Sequence, residues 1–155
     1  MEGIMSRETR IMECGSWDSQ TVISHYESFG WEVLSINEGN VVMSRETQNA
    51  VYPELVKLQA AYEAKKNEYD SMRLTATTPE EVPPIKLSYC LIGFVACVFP
   101  FVLYMVYKYK QKEKYNELLE QYNAEVAAFN KKREGVWQEM EDILRKGHDT
   151  FFARQ

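Results

Sequence analysis

The sequence predicts an α+β chain in four parts: a small βαββ module, an amphipathic helix, one transmembrane helix and a long C-terminal helix of coiled-coil type. Three observations predict it. Strand and helix signals alternate over the first 48 residues. The 21 residues from Leu87 to Tyr107 carry no charge, although the mean hydropathy of the 155-residue chain is −0.43. Apolar residues also recur at three- and four-residue intervals on both sides of that run.

Within the module (1–48), Thr9 to Cys14 reads as a strand, Ser16 to Phe29 as a helix, and Trp31 to Ile36 and Val41 to Arg45 as two further strands. Ser16 or Asp18 caps the helix start, Gly30 takes the left-handed conformation past its end, and Asn37-Glu38-Gly39-Asn40 supplies a hairpin turn. Val22, Ile23, Tyr26 and Phe29 share one helix face and cover the sheet. Such a unit is small to stand alone.

Pro53 suits the first turn of a helix over 50–74, whose seam is Leu55, Leu58, Tyr62, Tyr69 and Met72, with Lys65 out of place. Three prolines make residues 75–86 a semi-rigid linker. The run 87–107 then gives about 31 Å of helix, matching a hydrocarbon core of about 30 Å. Tyr89 at one end and Tyr104, Tyr107 and Tyr109 at the other fit the headgroup levels. Pro100 predicts a kink, and Gly93, Ala96, Cys97 and Pro100 form a packing face toward other spans. No ionisable residue lies in the run, which argues against a proton or ion path.

Residues 108–147 read as the heptad-patterned helix, with 148–155 a tail. Its seam is Tyr115, Leu119, Tyr122, Val126, Phe129, Val136, Met140 and Ile143, interrupted by Arg133, and Gly147 serves as its stop. Lys108, Lys110, Lys112 and Lys114 directly after the span favour a cytoplasmic C-terminus. A single crossing would place the two seamed helices on opposite sides, each needing a second copy or a partner helix. A re-entrant apolar run would let them pair within one chain. The single crossing with self-association is the expectation taken.

Charge and motifs bound the chemistry. Residues 1–85 carry seven Lys or Arg against fourteen Asp or Glu, and residues 86–155 carry eleven against nine, so no basic field for nucleic acid exists. Cys14, Cys90 and Cys97 are an odd set without metal-type pairing and read as reduced and structural. MEGIMSRETR lacks the apolar core of a secretory signal, so the internal run is the expected insertion signal. Ser24 and His25 are adjacent on a helix and do not face each other, and no third orienting group follows them. Trp31 reads as a core or rim aromatic. Phosphate loops, HExxH and EF-hand spacing are missing, so no catalytic, cofactor or metal residues are assigned and no small-molecule substrate is evident. MSRET occurs at Met5 to Thr9 and again at Met43 to Thr47, but the residues after the two copies share no pattern, so no repeat is read.

The stretch Phe29 to Ile36 (FGWEVLSI), with a turn and a strand ending in Arg45, resembles the bacterial domain-of-unknown-function family numbered 4177. Gly30, Trp31, Glu32 and Arg45 carry the likeness, over residues 7–47. The resemblance implies a βαββ fold and a bacterial origin, and lends no chemistry. The expected function is interaction or assembly at the cell membrane, with the lipid bilayer and a homo-oligomer or partner helix as partners. The alternative is an accessory subunit of a larger membrane complex.

Overall fold

The computed structural model describes residues 6–37, 39–84 and 98–153. These form an α+β arrangement in the order β1 (Arg7–Glu13), α1 (Ser19–Glu27), β2 (Trp31–Asn37), β3 (Asn40–Glu46), α2 (Tyr52–Ser71) and α3 (Val98–Phe152). Two compact units result. The first joins the residues up to Met72 with those from Arg133 onward, and the second runs from Arg73 to Lys132.

In the first unit the βαββ order predicted for residues 7–47 is present, with strand order β1-β3-β2 and both pairings antiparallel. β3 is central because Val41 and Met43, fully buried, turn the same way as Met12 on β1 and Trp31 on β2. Helix α1 starts three residues later than expected. Asp18 is its cap, its carboxylate accepting from the Thr21 N–H at 2.9 Å, so Ser16 lies outside the helix. Val22, Ile23 and Tyr26 of α1 are buried as predicted, with Phe29 beyond the helix end. Gly30 has φ +80°, the left-handed conformation its place after the helix demands.

The remaining wall of this core comes from the two seamed helices together. Tyr62 of α2 and Val136 and Met140 of α3 are buried in one cluster with the sheet residues, Leu58, Tyr69, Met72 and Ile143 pack against it, and Leu55 of α2 is buried as well. Each such side chain withdrawn from water contributes roughly 1.5–3 kcal/mol, which a lone 40-residue βαββ unit lacks. The residues that broke the two heptad seams are cross-helix contacts. Lys65 binds Glu139 at 2.7 Å, and the Arg133 guanidinium lies 4.6 Å from the Tyr69 ring centre. The two seams, each expected to meet another chain, thus meet each other over their outer parts, from Leu55 to Met72 and from Val136 to Ile143.

Gly147 departs from its expected role. Instead of ending the helix it lies within α3, where an added Cβ would come within 2.8 Å of the Phe29 ring and 2.9 Å of the Ser28 carbonyl. A missing side chain lets the two backbones approach. The expected tail is helical to Phe152, and Phe151 reaches within contact of Gly30.

In the second unit the proline-rich segment lies beside α3. The Lys108 ammonium donates to the Pro83 carbonyl at 3.1 Å, and residues 81–84 face Met105, Tyr109 and Tyr115 across a cleft of about 460 Å³. Among the described residues no helix is long and apolar enough to cross a membrane. Of the run 87–107, residues 98–107 are the first turns of α3, and the remainder lies outside the described residues, as do Gly93, Ala96, Cys97 and Cys90, while Pro100 stands in the first turn of α3.

Candidate functional site

Two places combine unusual chemistry with a defined geometry, one in each unit. In the second unit, α3 begins with a largely exposed apolar surface, of which only Met105 and Tyr109 face residues 81–84 across a cleft. From Val102 to Tyr109 the residues Val102, Leu103, Met105, Val106, Tyr107 and Tyr109 are exposed, between 39 % at Met105 and 70 % at Tyr109. At 100° per residue these span about 200° of the helix circumference, while the half-buried Phe101, Tyr104 and Lys108 share the other side. A water-facing helix shows one apolar stripe at most. Below this surface Lys108, Lys110, Lys112 and Lys114 follow within two turns.

The heptad seam has three fates. Val136, Met140 and Ile143 belong to the first unit's core. Tyr115 lines clefts with Val82 and Pro83 of the linker. Leu119, Tyr122, Val126 and Phe129 are half-buried along one face of α3 in the second unit. Of the proposed membrane-packing residues, only Pro100 falls in a described helix.

The second place is a polar network under the sheet of the first unit. Arg45 is 4 % exposed, an unusual position for an unpaired cation, and it is fully engaged. Its Nε donates to Glu8 at 2.7 Å and its Nη1 to the Phe29 carbonyl at 3.2 Å, while the Trp31 and Tyr52 rings sandwich it at 4.5 and 4.9 Å. Tyr52 also donates to Glu8 at 3.1 Å. Next to it, Trp31 Nε1 donates to Gln59 at 2.9 Å, and Gln59 donates in turn to Glu63 at 2.8 Å. Glu63 further receives Arg10 at 2.8 Å and the Tyr26 hydroxyl. Burial, with the Glu63 charge beside it, pushes the Tyr26 phenol up to about 12, so it stays a donor. Gln59 and Glu63 were not singled out in the sequence. The available signal was their i, i+4 spacing beside the Leu55–Tyr62 seam, which places two polar residues on the rim of an apolar face.

His25 occupies a third, aromatic corner. Its Nδ1 lies 2.7 Å from the Tyr62 hydroxyl, and its ring meets Trp17 and Tyr62 edge-on. Trp17 stacks on Trp137 of α3 at 5.7 Å with 10° between planes. Burial, with Lys66 nearby, lowers the His25 pKa from its ordinary 6.5, so the ring is neutral near pH 7. The Ser24 hydroxyl donates to the Thr21 carbonyl at 3.0 Å and not to His25. Among the described residues no group of three His, Cys, Asp or Glu is placed to hold a metal ion. The network's donors and acceptors are directed at one another, an arrangement that fixes the sheet to α2.

No protein-family model matches the chain, and no match was found among curated proteins or solved structures.

Proposed function

We propose that this chain is a membrane-attached interaction module. Its apolar run around 87–107 enters the bilayer as a re-entrant segment, and its α+β unit remains on the side of entry. The observation that carries this is the exposed apolar surface of residues 102–109 followed by four lysines. Hydrocarbon accepts such a surface, and the lysines suit anionic headgroups at its edge. Entry and exit on one side is supported by two contacts that bridge the run: α2 with α3 in the first unit, and Pro83 with Lys108 in the second. The four lysines favour the cytoplasm of a bacterial cell for that side, an orientation in which the acidic first 85 residues need no translocation. The bacterial assignment rests only on the resemblance at Gly30, Trp31, Glu32 and Arg45, for which no family model matches, and it names no ligand.

The test is double-ended topology. With separate protease-sensitive tags at the two termini, both tags should resist protease added to intact cells and both should be cut after lysis. One tag cut from outside while the other is protected would overturn the re-entrant arrangement. Loss of membrane retention on Leu103→Asp/Val106→Asp would tie attachment to the apolar surface. A membrane fraction unchanged by that double substitution would sink the proposal.

A second reading is docking of a partner helix, or of a larger membrane complex, on α3. The half-buried row Leu119, Tyr122, Val126 and Phe129 favours it. Heterologous cross-links from Tyr122→Cys would separate it from self-association.

A further inference from the structure

Strand β1 has one neighbour, β3, and its other edge faces away from the sheet. Which backbone groups point there follows from two hydrogen bonds. The Cys14 N–H donates to the Gly39 carbonyl at 2.9 Å, and the Thr47 N–H donates to the Ser6 carbonyl at 3.0 Å. Both pairs continue the register in which Arg7 faces Glu46 and Glu13 faces Asn40. In an antiparallel ladder, opposed residues alternate between pairs that exchange hydrogen bonds and pairs that do not. Ser6, Glu8, Arg10, Met12 and Cys14 therefore turn their backbone to β3. Arg7, Thr9, Ile11 and Glu13 turn theirs to the free edge, four N–H and four C=O groups in a row.

The two edges of the sheet differ. β2 carries a bulge between Val33 and Ser35, the usual device that blunts an edge, whereas β1 is regular over seven residues and holds neither proline nor glycine. Space is also present beside β1. Clefts of about 360 and 310 Å³ lie between β1 and α2, whose Val56, Ala60, Glu63 and Asn67 form their other wall.

We propose that this edge pairs with β1 of a second copy, antiparallel, to make one six-stranded sheet. The sequence of β1 selects both partner and register. A dyad at Arg10 sets Arg7 opposite Glu13, Thr9 opposite Ile11, and the reverse pairs on the other side. That register uses all eight edge groups of each strand and sets Glu13 of each copy beside Arg7 of the other, on the same face of the sheet, where Arg7 already binds Glu32 and Ser44 of its own chain and would be shared between two carboxylates. Glu13 has no ion-pair partner among the described residues, so this pairing supplies one. The two Arg10 side chains meet near the dyad, where each is already neutralised by Glu63 at 2.8 Å. Shifting the dyad by one residue to Thr9 or Ile11 leaves edge groups unpaired and sets Arg7 or Glu13 opposite an apolar or uncharged residue.

The experiment is the mass of the full chain in nanodiscs or micelles, by sedimentation velocity, for four variants beside the parent. Thr9→Pro removes an edge-facing N–H while leaving every β3 bond intact, a position where an edge strand accepts proline. It should be folded and monomeric, with a melting curve that no longer shifts with protein concentration. Glu13→Arg should weaken the dimer by about tenfold or more, and Arg7→Glu/Glu13→Arg should recover part of that loss, since the swap re-forms both cross-strand pairs while giving up the Arg7–Glu32 pair within each chain. Tyr122→Glu should leave the dimer intact. The proposal is overturned by a monomeric parent at about 100 µM, by a folded Thr9→Pro that dimerises like the parent, by a dimer lost only in Tyr122→Glu, or by a charge swap that restores nothing. Should Thr9→Pro fail to fold, the two charge variants decide.

Discussion

Met140 and Val102 are apolar residues of one continuous helix, yet Met140 is 1 % exposed and Val102 is 50 % exposed. The difference lies in what each part of α3 meets. From Arg133 onward the helix closes a core with α1, α2 and the sheet, and Arg133, the charge that breaks its seam, reaches across to Tyr69 of α2. Before Lys132 its neighbour within the second unit is a proline-rich segment, too narrow to cover a helix. A similar apolar repeat thus completes a fold in one region and is left available to another environment in the other. Hydrophobic periodicity reports that a face is to be covered, and tertiary context determines by what.

The largest test of this contrast is truncation. Met140→Ala should cost the first unit about 3 kcal/mol, because the cavity forms among packed neighbours. Tyr122→Ala on the half-buried row should cost under about 1 kcal/mol in the same urea titration. Equal losses would erase the distinction between the two regions.

Glycines on α3 give a second, internal comparison. Gly147→Ala forces a Cβ against Phe29 and the Ser28 carbonyl and should destabilise by roughly 1–3 kcal/mol. Gly135→Ala meets nothing within 4 Å and should stabilise the helix by roughly 0.5–1 kcal/mol. Opposite signs in thermal melts are the expected outcome.

The same glycine marks what was legible in the sequence. The βαββ order, the Asp18 cap, the left-handed Gly30 and the Pro53 helix start rest on local chemistry, and local chemistry is written in adjacent residues. Gly147 obeyed a local stop rule yet serves a contact with Phe29, more than a hundred residues away. Lys65 and Arg133 looked like flaws because a heptad template assumes an apolar partner, whereas their partners are Glu139 and Tyr69. The pairing of α2 with α3 spans the apolar run, and periodicity carries no information on which seam meets which. Of the candidate residues, the buried Arg45 was visible only through the resemblance, and its roles required the sheet register to bring Glu8 and Trp31 beside it.

The smallest expected effect concerns His25, where α1, α2 and α3 converge. Lys66 and Tyr62 approach it from α2, Asp18 from the cap of α1, and Glu141 from α3. Burial is the largest influence and lowers its pKa in the folded chain below the ordinary 6.5; Lys66 adds to it, while Asp18 and Glu141 oppose. Above the unfolded value both states are neutral and nothing is lost. As the pH falls through 6.5 the unfolded chain takes the proton first, so stability declines, and the decline is complete below the folded pKa. Protonation also ends the acceptor role of Nδ1 toward the Tyr62 hydroxyl, if that hydroxyl is the donor at 2.7 Å. The urea midpoint should therefore drop between about pH 7 and pH 5 in the parent and stay flatter over that window in His25→Gln. Asp18 acts in a separate window: its carboxylate, held below 3.8 by the Thr21 hydrogen bonds, adds its own loss only in stronger acid. A parent midpoint that is level to pH 5 would mean that His25 keeps its proton equilibrium on folding, and that the aromatic corner is more open to water than the Trp17–Trp137 stack implies.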